Sequence, residues 1–210
     1  MNNGKLACGL GLCGLGLALF SSLAVAGNSN CNVSAITIND AAVASIYPSA
    51  ITVSGAPATI SSVSVTISGF SHTFPDDVAI ALVGPGGQAL LLQDGAGDDP
   101  DMVGVTYTFA DAGATQLPDL TAWTVGTYKP TTYYTGDSFP APGPLTAYGS
   151  PGPAGGGTAT FSSVYAGTNA NGTWNLYVED LVGGDSGSIS GGWCLAFAGT
   201  PVTLQDFSVD

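Results

Sequence analysis

Short apolar runs that alternate with serine and threonine, each stopped by glycine or proline, constrain what this chain can fold into more than any other feature. In SVSVTI, Val63, Val65 and Ile67 fall at every second position with Ser62, Ser64 and Thr66 between them. That is the period of a half-buried strand with one wet face. Val78–Val83 is more continuously apolar and stops at the GPGG of residues 84–87, which must turn; Ala89–Leu92 then returns as the second arm of a hairpin. VGVTYTF, Val103–Phe109, alternates again.

Composition agrees with strands. Gly and Pro number 31 and 13, and the acids are almost all aspartate, Glu179 being the one glutamate. Aspartate favours turns over helix interiors, so the acids belong on loops of an all-β protein. Weaker segments are expected to extend at Val33–Ile38, Tyr47–Val53, Ala122–Val125, Phe161–Tyr165 and Val202–Val209, and none has the period of an amphipathic helix. SPGPAGGG, residues 150–157, reads as a flexible surface excursion. About eight to ten short strands at this spacing predict a β-sandwich of jelly-roll type.

The N-terminus reads as a secretory signal: Lys5, an apolar stretch from Leu6 to Val25, then Ala24-Val25-Ala26 with cleavage expected after Ala26. Cys8 and Cys13 leave with it and sit wrongly for lipidation. That leaves Cys31 and Cys194, expected to pair in an oxidising compartment, so the mature protein is predicted to be secreted, periplasmic or extracellular. No later run is long enough to span a bilayer. The formal net charge is −13, and beyond the signal Lys129 is the only base. Nucleic acid and anionic membrane surfaces, which need a basic footprint, are excluded as partners.

Residues 172–197, GTWNLYVEDLVGGDSGSISGGWCLAF, hold two apolar runs around a glycine-rich connection, which predicts a closing pair of strands. The connection contains Gly184-Asp185-Ser186-Gly187, the tetrapeptide that surrounds the nucleophile of trypsin-like enzymes. Such an enzyme needs a base, and His72 is the only histidine. Its surround, FSHTFPDD, and the Ser188-Ile189 that follows the tetrapeptide do not match trypsin-like patterns. The tetrapeptide is therefore expected to be a turn and the chain to have no catalytic residues. One histidine and two paired cysteines also make a closed zinc site a poor fit.

The strand, SHTFPDD loop, strand and GPGG turn, taken with residues 172–197, resemble the P domain (Homo B) of proprotein-convertase-type subtilisin-like proteases. The matching positions include Val63, Val65, His72, Thr73, Phe74, Asp77, Pro85 and Gly87, then Gly172, Thr173, Trp174, Asp180, Asp185, Gly187, Trp193, Leu195 and Phe197. The likeness runs over roughly residues 50–198, leaving residues 27–49 as an N-terminal strand segment and 199–210 as an edge strand or tail. The resemblance implies a jelly-roll sandwich without catalytic residues, a module that in the family follows a protease domain and supports its stability. No subtilisin-like domain is expected in this chain, and protease activity would then belong to the family's usual neighbour.

The functional expectation is a secreted, non-catalytic binding or stabilising module whose partner is a secreted protease or a cell-surface component. Calcium is the one cofactor expected, with Asp77, Asp94, Asp98, Asp99, Asp101, Asp180 and Asp185 as candidate ligands, because loop carboxylates repel one another unless a cation neutralises them. The alternatives are a serine-type peptidase using Ser186 and His72, or a carbohydrate-binding or adhesion module using Tyr128, Tyr133, Tyr134 and Tyr148.

Overall fold

The computed structural model describes residues 30–154 and 157–199, and the signal segment and Val202–Val209 lie outside them. Among the described residues thirteen strands form two sheets, more than the eight to ten expected, because several loops contribute two- or three-residue ladders. One sheet has the order β1 (Asn30–Asn32), β13 (Trp193–Gly199), β4 (Ile60–His72), β7 (Met102–Ala110), β9 (Thr127–Lys129) and β8 (Thr115–Gln116). Beside β4, β12 (Gly187–Ile189) bridges to β2 (Ile36–Ile38). The other sheet runs β10 (Thr131–Thr132), β6 (Ala89–Asp94), β5 (Val78–Val83), β11 (Gly172–Asp180) and β3 (Ser49–Val53). The all-β sandwich expected from the alternating runs is the observed architecture.

The alternation decides which side chains meet between the sheets. Val63, Val65 and Ile67 of β4 and Leu195 and Phe197 of β13 face Val78, Ile80 and Leu82 of β5 and Trp174, Leu176 and Val178 of β11 in one core. β5 is apolar at both parities because it is covered twice: Ala79 and Ala81 lie on the outer face with Leu91, Phe139 and Tyr177 in a second, smaller cluster. Residues 133–150 form a strap over that face. Tyr47 and Tyr177 donate to the carbonyls of Pro140 and Pro142 at 3.1 and 2.9 Å, and Gly149 bridges to Leu90.

The GPGG hairpin is present, with Val83 opposite Ala89 and the Gly84 amide donating to the Gln88 carbonyl at 2.9 Å. Two expectations are corrected. Phe161–Tyr165 is the helix α1 and not a strand. Thr160 and Ser163 form a reciprocal cap, and the Asp111 carboxylate accepts the Phe161 and Ser162 amides, both at 2.8 Å. Phe161 and Tyr165, four residues apart, then bury on one face, a stretch too short to carry a visible helical period. Ala122–Val125 is irregular, and its Trp123 plugs the core by stacking on Phe70 at 5.6 Å.

The two runs of residues 172–197 do not pair with each other. β11 belongs to the five-stranded sheet and β13 to the eight-stranded one, so the glycine-rich connection crosses from layer to layer and lays β12 against β4 on the way. β11 is already flanked by β3 and β5, which leaves no edge for β13.

Cys31 and Cys194 face each other across β1 and β13 and form the expected disulfide, 163 residues apart in sequence. Close to this bridge, fully buried Ser49 accepts hydrogen bonds from the Trp193 indole at 2.9 Å and the Asn32 amide at 3.2 Å, tying the two sheets. Ser49→Ala strands the buried indole N–H and is expected to cost about 1–3 kcal/mol, measurable by urea denaturation. A loss below a few tenths would mean that another acceptor replaces the serine.

Candidate functional site

One end of the sandwich gathers most of the acids, and they fall into three patches. The first is built where β4 ends, a 3-10 turn at Pro75–Asp77 begins and β11 runs out. His72, expected in a loop, is the last residue of β4 and buried. Its Nε2 lies 3.1 Å from Asp180 Oδ2, and its Nδ1 lies 2.8 Å from the Phe74 carbonyl and 3.2 Å from the Phe74 amide. A doubly protonated ring satisfies Asp180 and the carbonyl together; the neutral ring that keeps the Nε2 proton instead accepts from the amide. Asp180 also accepts the Val182 amide at 3.0 Å, and Asp185 accepts the Thr73 hydroxyl at 2.7 Å.

Asp77 shares this patch, its carboxyl pushed up to about 6 by burial and then by the charges of Asp180, Asp76 and Asp185. Burial likewise raises Asp180, against the lowering influence of the Val182 amide and His72. Of the seven candidate aspartates, Asp180 and Asp185 thus act on Asp77 through their charge, without the three converging as metal ligands.

Asp98, with its backbone in the left-handed region, belongs to a second patch, where Asp76, Asp98 and Asp119 interact and Tyr134 donates to Asp76 Oδ2. Asp99 and Asp101 are exposed beyond it. Asp94 lies next to Asp76 of the second patch but deeper. It ends β6, fully buried beneath the strap, and forms a third patch with Asp137 and Glu179, residues that sequence reasoning misses. The available signal was the Glu-Asp closing the apolar run LYVED, since the inward Trp174, Leu176 and Val178 put Glu179 on the opposite, outer face. Asp137 had none, because only the fold of the strap brings it there. Among the described residues no three His, Cys, Asp or Glu side chains converge as a ready metal cage.

Ser186 lies exposed in the crossover, and the ring nitrogens of His72 are engaged by Asp180 and Phe74. Gly187 pairs with His72 across β12 and β4, and a Cβ there would collide with the Ser71 carbonyl and the His72 ring. The last glycine of the tetrapeptide therefore serves strand contact. Gly187→Ala should destabilise by about 1–3 kcal/mol, as overpacking does, and denaturation curves measure it. An unchanged midpoint would show β12 to be displaceable.

Each of the four tyrosines bonds a different group through its hydroxyl. Tyr128 donates to the Thr124 carbonyl, Tyr133 to that of Leu117 and Tyr148 to that of Asp137, at 3.0, 2.7 and 2.6 Å. Tyr134, on Asp76, is half exposed.

Together these observations define an all-β sandwich with one disulfide and an acidic end, and among the described residues no helix is long and apolar enough to cross a membrane. No family model and no curated protein matches the chain. A crystal structure of Aeromonas sobria serine protease (ASP) in complex with the chaperone ORF2 is similar, with a TM-score of 0.39 and 17% identity over 81% of this chain. The match spans 26% of that chain, about a quarter of its length, and a likeness of this size bears no argument about function.

Proposed function

We propose that this chain is an exported, non-catalytic sandwich module of P-domain type that binds or stabilises a secreted protease or a cell-surface component, with calcium acting at its acidic end. The observation that carries the non-catalytic part is the engagement of His72. The only histidine of the chain is bound through Nε2 to Asp180 and through Nδ1 to Phe74, so it holds the chain together where a general base would have to meet Ser186. A fluorophosphonate probe should leave Ser186 unlabelled, and Ser186→Ala should change nothing in a peptide-hydrolysis assay. Labelling at Ser186 would overturn the reading.

Stabilisation of a protease is tested by adding the module to a subtilisin-like catalytic domain that lacks one and following its half-life. An unchanged half-life removes the protease as partner. Calcium at the first patch would use Asp77, Asp180 and Asp185, supported by the negative charge that Asp180 and Asp185 bring to bear on Asp77 and by the scarcity of positive charge. A melting temperature that millimolar calcium leaves where chelator does would remove it. The glycan alternative draws support from an open cleft lined by the hydroxyl-bearing residues Thr135, Thr146, Tyr148, Ser150, Thr158 and Ser163, and a glycan array without hits ends it.

A further inference from the structure

The third patch is unlike the other two because one oxygen of each of its carboxyls is sealed from solvent without a hydrogen-bond donor. Asp94 is 1% exposed and Glu179 5% exposed. One oxygen of each, Asp94 Oδ1 and Glu179 Oε1, is sealed from solvent without a hydrogen-bond donor, as is Asp137 Oδ2. Asp94 Oδ2 is served by the Thr132 hydroxyl at 2.9 Å, and nothing serves Oδ1. Buried polar atoms in native proteins are almost always paired, and three unpaired carboxyl oxygens in one place need an explanation.

The three groups are neighbours under the strap. The Asp94 and Asp137 carboxyls face each other closely enough to share a hydrogen bond were one protonated; Asp137 bears on Glu179, and all three bear on Tyr148. Around them stand Thr132 of β10, Tyr148 and Tyr134 of the strap, Tyr47 before β3 and Asp76 of the 3-10 turn, none of them a cation. Among the described residues the only side-chain contact of a basic group with a carboxylate within ion-pair distance is that of His72 with Asp180, in the first patch.

We propose that Asp94 and Asp137 bind a hard divalent cation of calcium type between the outer face of the five-stranded sheet and the strap, with Glu179 supplying further negative charge. Two facing carboxylates are fewer than the three side chains of a ready cage, and a calcium-sized ion completes its six to eight oxygen ligands from carbonyls, hydroxyls and water. The chemistry selects oxygen-seeking ions, since no nitrogen or sulfur donor is among these groups. An ion here ties Asp94 of the sheet to Asp137 of the strap, and so clasps the cover onto the second hydrophobic cluster. An open cleft lined by Gly136 and Tyr148 adjoins the strap segment that carries Asp137. This site is distinct from the Asp77–Asp180–Asp185 patch, and it stands or falls separately from the calcium reading given for that patch.

Terbium luminescence excited through tyrosine tests it, because Tyr148 lies beside the site. The wild-type chain should give saturable emission that calcium displaces; Asp137→Asn should weaken terbium binding at least tenfold, and Asp185→Asn should leave it unchanged. Asp137 is only partly buried on the strap, and its variant's fold is checked by near-ultraviolet circular dichroism. Two outcomes overturn the proposal: no saturable emission, as expected if the carboxyls merely share a proton, or emission that survives Asp137→Asn but is lost in Asp185→Asn, which would place the ion at the first patch.

Discussion

Replacing Cys31 and Cys194 by serine should lower the unfolding free energy by up to about 5 kcal/mol, the chain-entropy value for a loop of this length. The bridge joins residues 163 apart, nearly the whole sandwich, so its loss restores to the unfolded chain almost all the freedom that a single cross-link can remove. The folded side loses little, because β1 still pairs with β13 through three residues and Asn32 still reaches Ser49. A double serine variant in urea measures the effect as a drop in midpoint, with a larger dependence on urea because the cystine-free chain expands further. A drop below about 1 kcal/mol would mean that the unfolded protein stays compact without the bridge.

In chelator, stability should fall as pH rises from about 4 to about 7, the reverse of ordinary acid unfolding. Asp94 and Glu179 are both pushed up to about 7, each first by burial and then by Asp137, and Asp77 is pushed up to about 6. For an acid whose folded pKa exceeds its unfolded one, the native state keeps protons that the unfolded chain has released. Its stabilising contribution is complete below the ordinary carboxyl range and disappears as pH passes the folded value. A tenfold change in proton affinity corresponds to about 1.4 kcal/mol, and because the groups influence one another their separate shifts do not add. Melting temperatures from pH 4 to pH 8 test it. Asp94→Asn combined with Glu179→Gln should flatten the profile and raise stability at pH 8, where the native residues are charged and crowded. A wild-type profile that rises with pH would contradict the burial argument.

Both predictions rest on features of very different visibility in the sequence. The disulfide is legible from the cysteine count, because only two cysteines follow the segment that the sequence reading takes as a signal. The acid cluster is not: in the sequence Asp94 reads as a loop ligand alongside Asp98 and Asp99, yet the bulge in β6 and the closing strap bury it away from them. His72 is legible as the only histidine but not as the buried partner of Asp180, 108 residues away. The short helix at Phe161–Tyr165 escapes a reading of local pattern because its cap depends on Asp111, 50 residues earlier.

By itself the sequence determined the class: alternating valines, glycine and proline stops and aspartate-rich turns leave strands packed in two layers as the way to bury the apolar residues, since side-chain period is a local property. Only the tertiary structure decided that the two runs around the GDSG turn belong to opposite sheets, that Gly187 is needed for β12 to approach β4, and that Asp94, Asp137 and Glu179 meet under one strap. Those outcomes depend on which strand edges are already occupied and on what covers an outer face, and such contacts link residues far apart in the chain.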